Sequence, residues 1–277
     1  MAKNPGPMPG DTWAVETLVD AYKPQPPLVY AVDGVIPLPS LSVLFGAPGS
    51  LKTFVAADML VCVAGGLPWL PAADLSLPGF ATRQLPVMLI DFDNGRRPTR
   101  ERIAALARAR NLPADAPLFY TSMPVPLLDA TKHAHHMKPL HDRISHYGVK
   151  LVVIDNLGLI TGKADENSAE IAEAMNNLRY LAEGTGAAVI VIHHQRKSTG
   201  LKTRAGDSLR GHSSIEAAID LALLVQREPR SSIIEVTATK VRGADVPPFG
   251  AAFSYEHKTG SKELHAARFW GIPIDDA

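Results

Sequence analysis

A short glycine-containing segment that ends in lysine and threonine has the most definite chemistry in the chain. It reads GAPGSLKT at residues 46–53, after an apolar run at residues 42–45 and before a helical pattern at residues 53–64. Main-chain amides of such a loop converge on phosphate oxygens at the positive end of the helix. The pattern predicts an ATP site with Mg²⁺, and the expected nucleotide contacts are Gly46, Ala47, Pro48, Gly49, Ser50, Leu51, Lys52, Thr53 and Phe54.

Within this loop, Lys52 is expected to reach the β- and γ-phosphates, and the Thr53 hydroxyl to ligate Mg²⁺. Leu51 stands where the motif normally has its second glycine, and its side chain could crowd the phosphates or distort the turn. The alternative interpretation is an ordinary strand-to-helix turn that contains a lysine by chance.

A carboxylate that follows the apolar run at residues 151–154 is the predicted second Mg²⁺ ligand, Asp155. The next residue is Asn156, so a catalytic base must come from elsewhere. The best candidate is Asp93, after the apolar run at residues 87–90, and Asp91 is its rival. For all three acids, the alternative is a residue that merely ends a strand in a turn.

Apolar runs that alternate with helical patterns predict an α/β fold, because strands buried on both faces belong to a mostly parallel sheet. The helices are expected on both sides of this sheet. Expected strands are residues 42–45, 87–90, 118–120, 151–154 and 188–192, and expected helices are residues 53–64, 97–110, 137–147 and a segment with Ile171, Met175, Leu178 and Leu181 on one face. Closely spaced runs at residues 221–225, 233–239 and 251–255 predict an antiparallel extension, and residues 260–277 are a candidate docking tail.

The ends and the composition of the chain suggest one main domain. Eight of the 23 prolines lie in the first 40 residues, which predicts a tail or arm at residues 1–30, with a short helix at residues 13–22, before a main domain at residues 31–277. The 28 basic residues balance the 28 acidic ones, which excludes a global positive field. The single cysteine and the lack of an apolar leader or membrane-spanning run favour a cytoplasmic protein with no membrane partner.

Together these motifs resemble the RecA-like ATPases, most closely the RepA-type hexameric plasmid replicative helicases, over about residues 30 to 250. The resemblance implies a RecA-like core whose mostly parallel sheet has antiparallel strands at its C-terminal end. It implies that Asp93 replaces the catalytic glutamate, so hydrolysis could be slow, and that Arg102 stacks on adenine.

The same resemblance gives roles to three residues further along the chain. In the pair His193-His194, it makes His194 the sensor of the γ-phosphate. It makes Lys240 and Arg242 cations that reach the nucleotide of a neighbouring subunit, which implies a homo-oligomeric ring, expected to be a hexamer. The alternatives are histidines with a structural role, and lysine and arginine side chains that are merely solvated.

A basic segment after the paired histidines is the expected contact with single-stranded DNA, where the ring's central pore would lie. Its cations are Arg196, Lys197, Lys202, Arg204 and Arg210, and mobile positive charge is what a DNA backbone requires. A solvated surface loop is the alternative.

The sequence thus favours an ATP-hydrolysing motor of helicase type from a plasmid, phage or similar element. A nucleotide-switched regulator or scaffold without unwinding activity is the second hypothesis, and a P-loop kinase or other small-molecule transferase the third.

Overall fold

The computed structural model describes residues 15–74, 76–129, 134–135, 137–160, 169–194 and 213–274. The helices are α1 Leu18–Ala21, α2 Lys52–Gly65, α3 Arg96–Ala109, α4 Met137–His146, α5 Leu157–Ile160, α6 Ala169–Thr185 and α7 Ser213–Ala218. The strands are β1 Val29–Val32, β2 Ile36–Leu38, β3 Ser40–Gly46, β4 Val87–Asp91, β5 Leu118–Ser122, β6 Leu128–Asp129, β7 Ala134–His135, β8 Leu151–Asp155, β9 Ala188–His194, β10 Leu221–Gln226, β11 Ile233–Val241, β12 Phe249–His257 and β13 Leu264–Ile272.

A nine-stranded sheet in the order β13-β12-β11-β10-β3-β9-β8-β4-β5 forms the centre of the fold. The six strands from β10 to β5 run parallel, and β11, β12 and β13 extend the sheet in antiparallel fashion. The predicted fold class is therefore confirmed. One detail is corrected, because β10, which was grouped with the antiparallel extension, pairs in parallel with β3. A strand in the middle of a sheet is apolar whether it runs parallel or antiparallel to its neighbours, so its sequence does not indicate its direction.

Two apolar clusters cover the two faces of the sheet and explain the continuous hydrophobic runs. Leu44 of β3 points into the cluster that contains α2 and α3, whereas its neighbours Val43 and Phe45 point into the cluster that contains α4, α5 and α6. Successive side chains of a strand lie on opposite faces, so a strand covered on both sides must be apolar at every position. Within the described ranges, no helix combines the length and hydrophobicity that crossing a bilayer requires.

The C-terminal segment contains a strand that the sequence pattern did not predict. Part of the supposed docking tail is β13, which pairs along its length with β12 and forms one edge of the sheet. Its buried positions include Ala266 and Ala267, which contribute little to a hydrophobic pattern. At Gly271 a Cβ would lie 2.3 Å from the Leu70 carbonyl oxygen, so this strand passes too close to a neighbouring loop for a side chain.

The N-terminal arm is less helical than expected. Of the helix predicted at residues 13–22, the described part is helical only over α1. A hairpin of β1 and β2 follows, with Val32 and Ile36 fully buried on the α2 side of the sheet. The predicted boundary between residues 30 and 31 falls within β1, and the division into tail and main domain stays a prediction.

Candidate nucleotide site

The carboxyl ends of four neighbouring parallel strands bring the predicted site residues to one edge of the sheet. Gly46 at the end of β3 is paired in register with His194 at the end of β9. Asp155 at the end of β8 is paired in the same way with Asp91 at the end of β4. This edge is where open α/β sheets bind their ligands.

The loop between β3 and α2 takes its shape from three residues with positive φ angles. Gly46 has φ 153° and Gly49 has φ 82°, both of which favour glycine. Leu51 also lies in the left-handed region, with φ 69°, so it adopts the conformation for which a glycine would be expected. Its side chain is partly buried against the apolar cluster around α2. The turn therefore forms without the motif's second glycine.

The start of α2 is suited to an anion. Leu51 is the N-cap residue and provides no side-chain acceptor for the first amides of the helix. Helix amides without such an acceptor, at the positive end of the helix dipole, favour phosphate oxygens.

Lys52 lies folded over this loop and is almost completely buried. Its Nζ donates hydrogen bonds to the carbonyl oxygens of Gly46 at 2.9 Å and Ala47 at 3.0 Å, and lies 3.4 Å from Ser50 Oγ. Burial lowers the pKa of the Lys52 ammonium to about 8, although the negative charge of Asp155 opposes this. A phosphate oxygen in the loop would offer this cation an anionic acceptor in place of neutral ones.

Thr53 and Asp155, the two predicted Mg²⁺ ligands, touch each other. Thr53 Oγ1 donates a hydrogen bond of 2.6 Å to Asp155 Oδ2, while Asp155 Oδ1 is buried without a hydrogen-bond donor among the described residues. Burial raises the pKa of the Asp155 carboxyl to about 6; the bond from Thr53 opposes the rise, and the charge of Asp91 adds to it. Hydroxyl and carboxylate oxygens with a spare acceptor fit Mg²⁺.

The two candidate bases at the carboxyl end of β4 have different surroundings. Asp91 is fully buried and accepts hydrogen bonds from the Asp93 and Asn94 amides at 3.0 and 2.8 Å and from Thr99 Oγ1 at 2.8 Å. This carboxylate is therefore engaged in shaping the turn before α3. Asp93 is solvent-exposed and close enough to Asp155 for its charge to raise the pKa of that carboxyl. Of the two side chains only that of Asp93 is exposed to solvent, and its role as the base stays a prediction.

The paired histidines at the end of β9 differ in burial. His193 is 3% exposed, and His194 is half-buried beside Gly46, where the phosphate loop begins. That position is suitable for a side chain that senses the end of a triphosphate, and the role stays a prediction.

Comparison with known proteins gives the family. A family model described as "AAA domain" matches residues 11–200. The chain belongs to this family. Among solved structures, the fold is similar to one that is titled as an ATPase domain, with a TM-score of 0.59 and 15% identity over 84% of this chain and 85% of that chain. No curated protein matches the chain significantly. The predicted RecA-like P-loop ATPase fold is confirmed.

Arg102 of the AAA domain lies beside the helix that follows the phosphate loop. Its guanidinium carbon is 4.9 Å from the centroid of the Phe54 ring, and Nη1 is 3.8 Å from Asp91 Oδ2. A cavity of about 270 Å³ adjoins it, lined by Phe54, Arg97, Pro98, Glu101, Arg102 and Leu264. Phe54 and Arg102 were both expected to contact nucleotide, and the structure brings them together.

Three residues that the sequence interpretation missed complete this side of the site. Arg227, just after β10, donates hydrogen bonds to the carbonyl oxygens of Gly49 at 3.2 Å and Ser231 at 2.8 Å, and its guanidinium lies 5.0 Å over Phe253. The Tyr255 ring is 5.2 Å from that of Phe54, and burial raises the pKa of its hydroxyl to about 12. No sequence motif marks these residues, because only the sheet brings β10 and β12 to the phosphate loop.

Lys240 and Arg242 do not lie at the phosphate loop of their own chain. Lys240 pairs with Ala222 near the start of β10, towards the opposite edge of the sheet from the loop. Its Nζ donates to the Glu216 carbonyl oxygen, and Arg242 Nη2 donates to that of Ala217 at 2.7 Å. Any contact of these two cations with a nucleotide would therefore involve another chain's site.

The predicted DNA contacts follow β9 in the sequence. Arg196, Lys197, Lys202, Arg204 and Arg210 lie outside the described residues. The last described residue before this segment is His194, at the same edge of the sheet as the phosphate loop.

Proposed function

We propose that this AAA domain is an ATP-hydrolysing motor that forms a homo-oligomeric ring and acts on single-stranded DNA, as a replicative or accessory helicase-type ATPase. The observation that carries the proposal is the site at the start of α2. There a buried lysine covers an amide-rich loop, and the hydroxyl of Thr53 lies 2.6 Å from the buried carboxylate of Asp155. A buried ammonium group over main-chain amides, beside a hydroxyl and a carboxylate, fits a triphosphate with Mg²⁺.

In this proposal each side chain at the sheet edge has a separate role in ATP hydrolysis. Lys52 binds the β- and γ-phosphates, Thr53 and Asp155 hold Mg²⁺, and His194 contacts the γ-phosphate. Asp93 orients the attacking water and accepts its proton as the bond to the γ-phosphorus forms and the β–γ bridge breaks. Because aspartate is one methylene shorter than glutamate, slow turnover is part of the proposal.

The neighbouring subunit would supply Lys240 and Arg242 to the same reaction, which requires a ring, expected to be a hexamer. The support is their separation from their own phosphate loop and the half-exposed side chain of Arg242. Cations that arrive from a neighbour stabilise the charge that develops on the transferred phosphoryl group.

Replacing Arg242 by alanine should reduce kcat by roughly 1,000-fold and leave nucleotide affinity unchanged, because the lost cation acts in the transition state. Adding Asp93→Asn protein, which lacks the proposed base but keeps Arg242, should restore part of the activity. Steady-state hydrolysis of the two variants, separate and mixed, provides the measurement. Mixed samples no more active than their separate parts would contradict action between subunits.

DNA should stimulate hydrolysis if the basic segment contacts the strand. We expect single-stranded DNA to raise ATP turnover, and replacement of Lys197, Lys202 and Arg204 by alanine to remove the stimulation without lowering basal turnover. Lys258 and Lys262, on the exposed turn between β12 and β13, serve as a control pair whose alanine variants should respond normally. Undiminished stimulation in the triple variant would exclude this segment.

A nucleotide-switched regulator or scaffold is the second candidate. The observation that favours it is Asp93 in the place of a longer catalytic glutamate. Slow hydrolysis that single-stranded DNA leaves unchanged would support the regulator over the motor.

A further inference from the structure

The side chain of Asp93 depends on its main chain for its direction. It is solvent-exposed, and among the described residues no group donates a hydrogen bond to its carboxylate or forms an ion pair with it. Residues 92–95, the turn that joins β4 to α3, therefore determine where it points. Displacing a reacting group by about 1 Å can cost roughly 100-fold in rate. The turn must consequently be held in place if Asp93 is to act as a base.

One carboxylate oxygen of Asp91 holds this turn. Asp91 Oδ1 accepts hydrogen bonds from the main-chain amides of Asp93 at 3.0 Å and Asn94 at 2.8 Å, and from Asn94 Nδ2 at 3.1 Å. An aspartate that accepts from the amide two residues ahead gives the backbone a defined turn. Because a charged acceptor makes stronger hydrogen bonds than a neutral one, the carboxylate restrains the main chain of Asp93 directly.

The other oxygen of Asp91 is held by α3. Thr99 Oγ1 lies 2.8 Å from Asp91 Oδ2 and 3.1 Å from the Gly95 carbonyl oxygen, so one hydroxyl contacts both ends of the turn. Arg102 Nη1 is 3.8 Å from the same Oδ2, and the guanidinium of Arg102 lies over the Phe54 ring of α2. Asp91 and Thr99 are fully buried, so water does not compete for their bond.

The sheet places this cluster beside the candidate magnesium site. Asp91 is paired in register with Asp155, and the amide of Phe92, the first residue of the turn, donates a hydrogen bond of 2.6 Å to the Asp155 carbonyl oxygen. A shift of the turn would therefore change the distance between Asp93 and the groups that are expected to hold Mg²⁺.

We propose that Asp91 is a positioning residue for ATP hydrolysis. Its carboxylate, held by Thr99, fixes the turn that points Asp93 at the attacking water. Asp91 accepts no proton from that water and acts only through Asp93. The inference rests on the proposed function, in which Asp93 is the base, and it names the group that orients this base.

Asparagine in place of Asp91 tests this role. It keeps one acceptor oxygen but puts an NH₂ group where Thr99 and Arg102 already offer donors. We expect Asp91→Asn to lower kcat roughly tenfold to 100-fold and to leave KM for ATP unchanged. Asp93→Asn should lower kcat at least as much, and the double variant no further than Asp93→Asn alone. Additive losses, or an Asp93→Asn variant with wild-type kcat, would overturn the proposal.

The matched control is Asp58→Asn. Asp58 is also fully buried beside an arginine, and its described hydrogen bonds come from Arg110 rather than from the turn. This variant should lose stability, because it leaves the charge of Arg110 without its partner, but keep the wild-type kcat at temperatures where it is folded. A loss of kcat equal to that of Asp91→Asn would reveal a general effect of removing a buried charge and would contradict the proposal.

Thr99 provides a second test that leaves both carboxylates in place. Thr99→Val removes the hydroxyl and keeps the shape of the side chain, so kcat should fall severalfold while KM for ATP stays unchanged. Thr99→Ser keeps the hydroxyl and should retain the wild-type kcat. Equal kcat values in the valine and serine variants would count against the contact that holds Asp91.

Hydrogen exchange distinguishes failure of this inference from failure of the proposed function. Without nucleotide, the amides of Asp93 and Asn94 should exchange faster in Asp91→Asn than in wild-type protein, a difference that requires no hydrolysis. Equal exchange in the two proteins would show that Asp91 does not hold the turn. Wild-type protein that hydrolyses no ATP would contradict the proposed function and this inference with it, whereas normal wild-type turnover with an unchanged kcat in Asp91→Asn would remove only the role of Asp91.

Discussion

Replacing Lys52 by alanine is expected to weaken binding of ATP with Mg²⁺ roughly 100-fold or more, about 2.7 kcal/mol, and to make hydrolysis undetectable. The ammonium group of Lys52 is the only side-chain cation described within hydrogen-bond distance of the loop carbonyls of Gly46 and Ala47. Charge-assisted bonds to phosphate are among the strongest polar contacts, and alanine removes them while leaving the main-chain amides in place.

The loss should not be a consequence of unfolding. Burial lowers the pKa of Lys52 to about 8, which means that keeping its charge at this buried position costs free energy. Its removal should therefore leave the melting temperature unchanged or slightly raised. Lys150 is a suitable control, because its Nζ also donates to a carbonyl oxygen, that of Thr185 at 2.9 Å, but at the opposite edge of the sheet.

Titration of a fluorescent ATP analogue against Lys52→Ala, Lys150→Ala and wild-type protein is the measurement. Lys150→Ala should bind like wild type. Equal affinity in Lys52→Ala and wild type would remove the basis for the motor and for the nucleotide switch alike.

The parallel core and the phosphate site could be predicted because their signals are local. A strand buried on both faces is apolar at every position, and the residues from Gly46 to Thr53 carry their glycines, lysine and hydroxyl in one short segment. Asp155 was found in the same way, at the end of an unbroken apolar strand.

The features that escaped prediction depend on distant contacts or on weakly hydrophobic residues. Arg227 reaches the Gly49 carbonyl across 178 positions of sequence, and no spacing rule connects them. Apart from Phe269, the edge strand β13 buries only alanines and a glycine, which contribute little to a hydrophobic pattern. Leu51 shows a third limit: sequence indicates that a glycine is missing, but only the backbone shows that leucine adopts the same left-handed turn.

The change Gly46→Ala should cost about 3 kcal/mol or more of folding free energy and abolish nucleotide binding. A Cβ at this position would lie 2.3 Å from the Val225 carbonyl oxygen, in a backbone with φ 153° that side chains rarely adopt. The obstacle is the main chain of β10, which is held to β3 by the parallel ladder that pairs Phe45 with Leu224. Relief of the clash requires the two strands to separate where the phosphate loop begins.

The matched control is Gly184→Ala, within helix α6. There the nearest atom to a new Cβ is the end of the His141 side chain at 3.9 Å, and alanine favours a helix over glycine by about 0.5–1 kcal/mol. Urea unfolding should thus move in opposite directions for the two variants, although each adds one methyl group. Suppose that Gly46→Ala had the same urea midpoint of unfolding as wild-type protein and still bound ATP. Then β3 and β10 could not lie as close together at the phosphate loop as they do in this structure. The site built on that contact would have to be revised.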